Sequence, residues 1–227
     1  MKINGLQKNS FVDYPGKISA VVFTPGCNMD CFYCHNKILL DGNDKKIISC
    51  EDVMTFLESR KGFLDGVVVS GGEPTLQKGL LPFLHLVKGL EYPIKLDTNG
   101  TNPDIVKSCI DKGLLDYIAM DFKAPLNKYN DICKTQVDLD KIMKSVNLII
   151  NSGISHEFRT TLAPGLEVDD IVEISKRISG ANLYVLQRCR IEEGKGLGDS
   201  KESINYLLEN IKGRVKKVET RGMNFSS

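Results

Sequence analysis

The 227 residues are 41% hydrophobic and 26% charged, and 30 Lys and Arg against 29 Asp and Glu leave a net charge of +1. That balance excludes the basic excess of a general nucleic-acid binder and the low hydrophobicity with high net charge of a disordered chain. No apolar run approaches the roughly 18 residues of a membrane-spanning helix, and the opening MKINGLQKNSFVDYPGK lacks a signal-peptide stretch, so a cytoplasmic protein is expected.

Short β-rich runs alternate with helical candidates from residue 20 onward. The strands are expected at 20–24 (AVVFT), 66–69 (GVVV), 94–97 (IKLD), 117–121 (YIAMD), 157–162 (EFRTTL) and 183–187 (LYVLQ). Their mostly unbroken apolar character fits strands buried on both faces of a parallel sheet. Helices are expected at 50–60, 79–90, 103–112, 139–151, 169–178 and 201–212, with an edge strand near 215–219. Ser49 is placed to cap the first helix, ahead of Glu51 and Asp52, whose charges favour the positive end of its dipole. Pro103 suits a first helical position, and Gly113 a C-terminal stop. Six βα units without a dividing linker predict one α/β domain over residues 1–227, either a partial (β/α)6 barrel or an open doubly wound sheet. Both put working residues at the carboxyl ends of strands.

The loop after the first strand reads PGCNMDCFYCHN, with Cys27, Cys31 and Cys34 spaced C-x3-C-x2-C. Clustered thiols in a reducing compartment point to metal binding or catalysis. A closed zinc site wants a fourth ligand, and His35 follows Cys34 too directly to chelate the same ion comfortably. A [4Fe–4S] cluster normally takes four thiolates, so three leave one iron open to a substrate. Cys50, Cys109 and Cys133 fall on or near helices and read as apolar filler, while Cys189 ends a strand.

The cysteine motif, with Tyr33 before Cys34, resembles the signature of radical S-adenosylmethionine (SAM) enzymes. The next strand ends in SGGEPTLQ, similar to that family's GGE motif. LDTNG (96–100), MDFK (120–123), Arg159 before LAPG, CHN, and FVDYPGK narrow the resemblance to activating enzymes of glycyl-radical enzymes, chiefly those of anaerobic ribonucleoside-triphosphate reductase, with pyruvate formate-lyase activases similar too. The resemblance implies a partial (β/α)6 radical SAM barrel. It also implies that the open iron binds SAM and that reduction of the cluster releases a 5′-deoxyadenosyl radical, which takes a hydrogen from a partner's glycine Cα.

Carried over residue by residue, Cys27, Cys31 and Cys34 would ligate the cluster, and Tyr33 and His35 would lie beside the adenosine. Gly71 and Gly72 would bring backbone up to the methionine amino group, with Glu73 bracing the turn. Asp121 and Lys123 would reach the ribose and carboxylate of SAM, and Arg159, Gln187 and Arg188 would add contacts. Asp13 and Lys123 complete the catalytic set, Asp13 near the incoming substrate backbone. Two strand-end carboxylates near an anionic ligand would repel, so a monovalent cation shared by Asp97, Thr98 and Asp121 is expected, the alternative being that Lys123 neutralises both carboxylates and no ion binds. The implied partners are a glycyl-radical enzyme and a flavodoxin or ferredoxin donor, with no nucleic acid or membrane. The rival readings are a small-molecule radical SAM enzyme such as a deazapurine synthase, and a zinc- or cluster-binding module without catalysis.

Overall fold

The computed structural model describes residues 1–34, 37, 47–190 and 197–223, and these form two compact units. The first comprises Met1–Asn28 and the described part of His35–Ala119; the second comprises Met29–Cys34 and the described part of Met120–Ser227.

The first unit opens with a hairpin of β1 (Gly5–Tyr14) and β2 (Lys17–Thr24), which pair antiparallel with two register shifts along β1. Its turn needs Gly16, whose φ of +71° suits glycine. From β2 the chain runs through α1 (Cys50–Ser59), β3 (Gly66–Gly71), α2 (Leu80–Gly89), β4 (Ile94–Thr98) and α3 (Pro103–Asp111) into the start of β5 (Tyr117–Asp121). β2, β3 and β4 are parallel, Ser19 facing Gly66 and Thr24 facing Gly71, then Val67 facing Ile94 and Val69 facing Leu96. The Ser49 side chain accepts from the Asp52 N–H at 2.9 Å, and Pro103 opens α3. One face of these strands buries Val22, Val67, Val69, Ile94 and Leu96 completely, and α2 packs on β4. The other face carries an apolar cluster of Tyr14, Val21 and Val68 against Phe23 and Tyr117. Because side chains alternate along a strand, Lys95 and Asp97 share that second face, as does Ser70.

The second unit contains the end of β5, then α4 (Tyr129–Cys133), α5 (Leu139–Ile150), β6 (Ser155–Leu162), α6 (Val168–Arg177), β7 (Leu183–Arg188), α7 (Lys201–Ile211) and β8 (Val218–Arg221). β6 to β8 are parallel, with Arg159 facing Val185 and Val185 facing Glu219. α5, α6 and α7 bury apolar stripes such as Ile142, Val146 and Ile149, and α6 packs on α7. Asp138 and Ser200 cap α5 and α7, and Glu167 and Asp170 form a capping box on α6.

The alternation of parallel strands and helices is the α/β organisation expected from the sequence. The differences are local. β1 went unread because its exposed Lys8, Phe11 and Val12 and its register shifts spoil both the alternating and the continuous apolar pattern. α4 has five residues, too few to show a helical period. β8 lies slightly beyond the expected 215–219. No helix among the described residues is long and apolar enough to cross a membrane.

Candidate functional site

In the first unit the site is built around the turn that follows β3. Gly71 has a φ of +124°, and a Cβ there would lie 2.3 Å from the backbone N and O of Thr24. At Gly72 a Cβ would lie 2.0 Å from the Gly26 carbonyl oxygen. Glycine is therefore demanded here by backbone packed on backbone, before any ligand is considered. The Gly72 N–H donates to the Thr24 carbonyl at 2.9 Å and the Glu73 N–H to the Gly26 carbonyl at 2.8 Å. This stitches the GGE turn to the segment leading into Cys27.

Glu73 is fully buried. Its carboxylate accepts from the Thr75 N–H (3.1 Å), the Thr75 and Thr98 hydroxyls (2.5 and 2.8 Å) and the Asn99 N–H (2.6 Å). Burial raises its pKa against the pull of those donors. One buried side chain thus fixes both its own turn and the loop after β4. Asn99 in turn points its amide at Cys27, Nδ2 to Sγ at 3.7 Å.

Asp97 accepts from Lys95 at 2.6 Å and from the Ser70 hydroxyl at 3.0 Å. Lys95 is itself buried, 2% exposed. Thr98 points to the opposite face of β4, where its hydroxyl donates to Glu73 and accepts from the Gly100 N–H at 3.1 Å.

The second unit gathers Cys31, Tyr33, Cys34, Asp121, Lys123 and Arg159. Cys31 is buried, Cys34 partly exposed, and the Cys34 N–H closes a turn onto the Cys31 carbonyl at 3.0 Å. The Asp30 N–H donates to the Cys133 carbonyl at 3.0 Å, which brings α4 up to the cysteine segment. The Cys133 thiol hydrogen-bonds Cys31 and, with the Lys123 charge, lowers the Cys31 thiol to about 7 against the opposing push of burial. Lys123 lies 5.9 Å from the Tyr33 ring centroid, a cation–π distance, and burial raises the Tyr33 phenol.

Asp121 accepts from Arg159 Nε at 2.7 Å and from Lys123 Nζ at 3.3 Å. Burial opposes its charge, but these two cations win and hold the carboxyl at about 2. Arg159 also stands 3.8 Å from Glu157, which is fully buried and takes two bonds from Arg221, at 3.1 and 2.7 Å.

Four of the expectations meet surroundings that the sequence did not show. Asp13 is not at the strand ends: Tyr14 faces Lys17 in the hairpin, so Asp13 stands at the amino end of β2 and bonds Ser10. At the usual rise per residue the Thr24 end of β2 is about 20 Å away. Each residue expected to share a cation has partners within its own unit: Asp97 has Lys95, Asp121 has Arg159 and Lys123, and the Thr98 hydroxyl is engaged by Glu73. Gln187 shares the β7 face of Val185, in register with Arg159, whereas Arg188 pairs with Leu162 on the opposite face and is not brought beside it. Cys133 is no filler, because it sits on Cys31. His35 lies outside the described residues.

Lys95, Asn99, Glu157 and Arg221 went unread. A lysine inside the apolar run IKLD and a glutamate opening EFRTTL were signals available in the sequence; Arg221 gave none. Among the described residues no three His, Cys, Asp or Glu side chains are grouped as ligands of a single metal ion. The donor chemistry fits an iron–sulfur cluster nonetheless: soft thiols, one already drawn toward thiolate at neutral pH and another facing an amide donor.

The model of the radical SAM superfamily matches residues 21–178. A protein of Methanocaldococcus jannaschii, provisionally named a glycyl-radical enzyme activating enzyme, is 37% identical over 193 residues, 82% of this chain and 79% of its own length. A protein of Pyrococcus horikoshii, provisionally named a GTP 3′,8-cyclase, is 24% identical over 88% of this chain and 65% of its own. Among solved structures, Streptococcus suis SuiB bound to precursor peptide SuiA shares the fold with a TM-score of 0.66 and 15% identity, over 88% of this chain and 47% of that one.

Proposed function

We propose that this chain, which belongs to the radical SAM superfamily, is an activase that generates a glycyl radical on a partner enzyme. As a radical SAM enzyme it uses a [4Fe–4S] cluster and SAM. The observation that carries the activase reading is the 37% identity to the methanogen activating enzyme over most of both chains. Anaerobic ribonucleoside-triphosphate reductase is the first partner to try, with pyruvate formate-lyase second. A flavodoxin or ferredoxin would supply the electron, in the cytoplasm.

Cys27, Cys31 and Cys34 would hold the cluster. The chemistry supplied by cluster and SAM together is the reductive opening of a sulfonium bond, yielding a carbon radical able to take hydrogen from a glycine Cα. The protein supplies binding and orientation. With its N–H engaged by the Thr24 carbonyl, Gly72 meets a ligand through its own carbonyl, an acceptor of the right polarity for the ammonium of methionine. Asp121, held ionised by Arg159 and Lys123, is an acceptor for ribose hydroxyls at neutral pH. Lys123 keeps its proton under the pull of Asp121 and can meet a carboxylate.

The test is electron paramagnetic resonance of reduced protein with SAM and each candidate partner. A glycyl doublet that disappears when the partner's target glycine becomes alanine is expected. Deoxyadenosine formation without a protein radical on any glycyl-radical enzyme of the organism would instead favour a small-molecule substrate, as in the cyclase relatives.

A further inference from the structure

The loop after β4 carries a polar arrangement whose purpose the proposed function does not explain. Asn99 is 4% exposed, and every polar atom of its side chain is engaged. Its Oδ1 accepts from the Thr101 N–H at 3.0 Å and from the Thr101 hydroxyl at 2.7 Å. Its Nδ2 donates to Asn28 Oδ1 at 2.9 Å and stands 3.7 Å from Cys27 Sγ. Asn28 Nδ2 donates to the Thr101 hydroxyl at 2.9 Å, which closes a ring of three side chains.

The ring settles which way the amide faces. A backbone N–H can only donate, so the Asn99 atom that meets the Thr101 N–H has to be the oxygen. The NH2 end therefore faces Asn28 and the sulfur, with one hydrogen for each. Asn99 is anchored twice more: its backbone N–H donates to buried Glu73, and Asn28 directly follows Cys27 in the chain. A rigid donor is thus aimed at one sulfur of the cysteine motif, from a loop stitched to the GGE turn.

We propose that Asn99 is a positioning residue for the iron–sulfur centre, holding Cys27 and donating an N–H···S hydrogen bond to its sulfur, which raises the centre's reduction potential. The inference rests on the reading that Cys27 ligates the cluster. Hydrogen bonds to ligand sulfurs are among the determinants of cluster potential, because they stabilise the more negative, reduced form. Thr101 and Asn28 orient the amide.

The experiment uses cluster-loaded full chain without SAM. In protein labelled with 15N only at the asparagine side-chain amide, pulsed paramagnetic resonance of the reduced cluster should show a 15N coupling; its absence in the wild type would overturn the proposal without any variant. Asn99→Asp keeps the shape and the Thr101 bonds but replaces the donor with an oxygen. It should lose the coupling and shift the oxidised-to-reduced ratio at a fixed applied potential at least tenfold, equivalent to about 59 mV for one electron. Asn99→Ser, too short to reach the sulfur, should act in the same direction. Thr101→Val is the control for ring stability and should lower the melting temperature while moving the potential less than Asn99→Asp does. Four irons per chain with unchanged potential in both Asn99 variants would sink the idea. A Cys27→Ala protein that kept four irons would instead sink the ligand reading beneath it.

Discussion

Cys31 and Cys133 show how strongly one contact can change the chemistry of a side chain. The Cys133 hydrogen bond is the largest influence on the Cys31 thiol, which burial would otherwise push up, and Lys123 adds to it; the result is a thiol lowered from 9.0 to about 7. Cys109, buried on α3 without such help, is pushed up to about 12. Thiolate is the reactive form, so in cluster-free protein the rate of Cys31 alkylation should rise through a midpoint near pH 7, with Cys109 silent across the neutral range. In Cys133→Ala the Cys31 midpoint should move up toward 9, cutting the rate at pH 7 by an order of magnitude or more. Quantitative mass spectrometry of the labelled peptides reads both sites at once. A midpoint unmoved by Cys133→Ala would mean that the neighbouring thiol does not act on Cys31. The sequence offered no hint of this pair, because residues 31 and 133 are brought together by the short helix α4 and the Asp30 backbone bond, across about a hundred residues of chain.

Among the elements, the turn after β3 separates two roles that glycine can play. At Gly71 and Gly72 the obstacle to a side chain is the backbone of Thr24 and Gly26, which cannot rotate out of the way. Gly89, at the end of α2, has nothing within 4 Å of an added Cβ and no left-handed φ. Gly71→Ala and Gly72→Ala should therefore each cost about 3 kcal/mol or more, through strain and overpacking. Gly89→Ala should stabilise by about 0.5–1 kcal/mol, since it narrows the unfolded ensemble without strain. Urea melts of the three variants give the comparison, and a Gly72→Ala protein as stable as Gly89→Ala would refute the close-approach argument. This motif was legible as a pattern in the sequence, but its reason was only half legible. Closeness to a ligand is a chemical guess that SGGEP invites, whereas closeness to Thr24 and Gly26 depends on the parallel register of β2 and β3. The same limit applies to Asp13: VDYPG reads as a loop near the site until the hairpin register puts it at the other end of β2. Continuous apolar runs revealed six strands, since burial on both faces writes itself into composition; pairing partners leave no such trace.

Across the molecule as a whole, the charges that the sequence could not pair are those that join distant segments. Glu157 on β6 and Arg221 on β8 are 64 residues apart, and β7 lies between their strands in the second unit. Nearly equal totals of acidic and basic residues say nothing about such a meeting. The pair is two-pronged, and its carboxylate is fully buried, with Arg159 3.8 Å from one of its oxygens. Such a bridge gives less net stability than its geometry suggests, because both charges lost their hydration; breaking it is expensive because one charge stays behind. Arg221→Met should therefore destabilise the protein by about 3–5 kcal/mol. Glu157→Leu alone leaves Arg221 able to turn to Glu219, 3.9 Å away on its own strand, and should cost less. The double variant should recover most of the Arg221→Met loss, so the double-mutant cycle yields a coupling of at least about 1 kcal/mol. Because Glu157 is shielded from solvent, that coupling should change little between low and moderate salt, unlike a surface pair. Strictly additive losses in urea melts, or a coupling that vanished in moderate salt, would show that β8 is held in place by its backbone bonds to β7 alone.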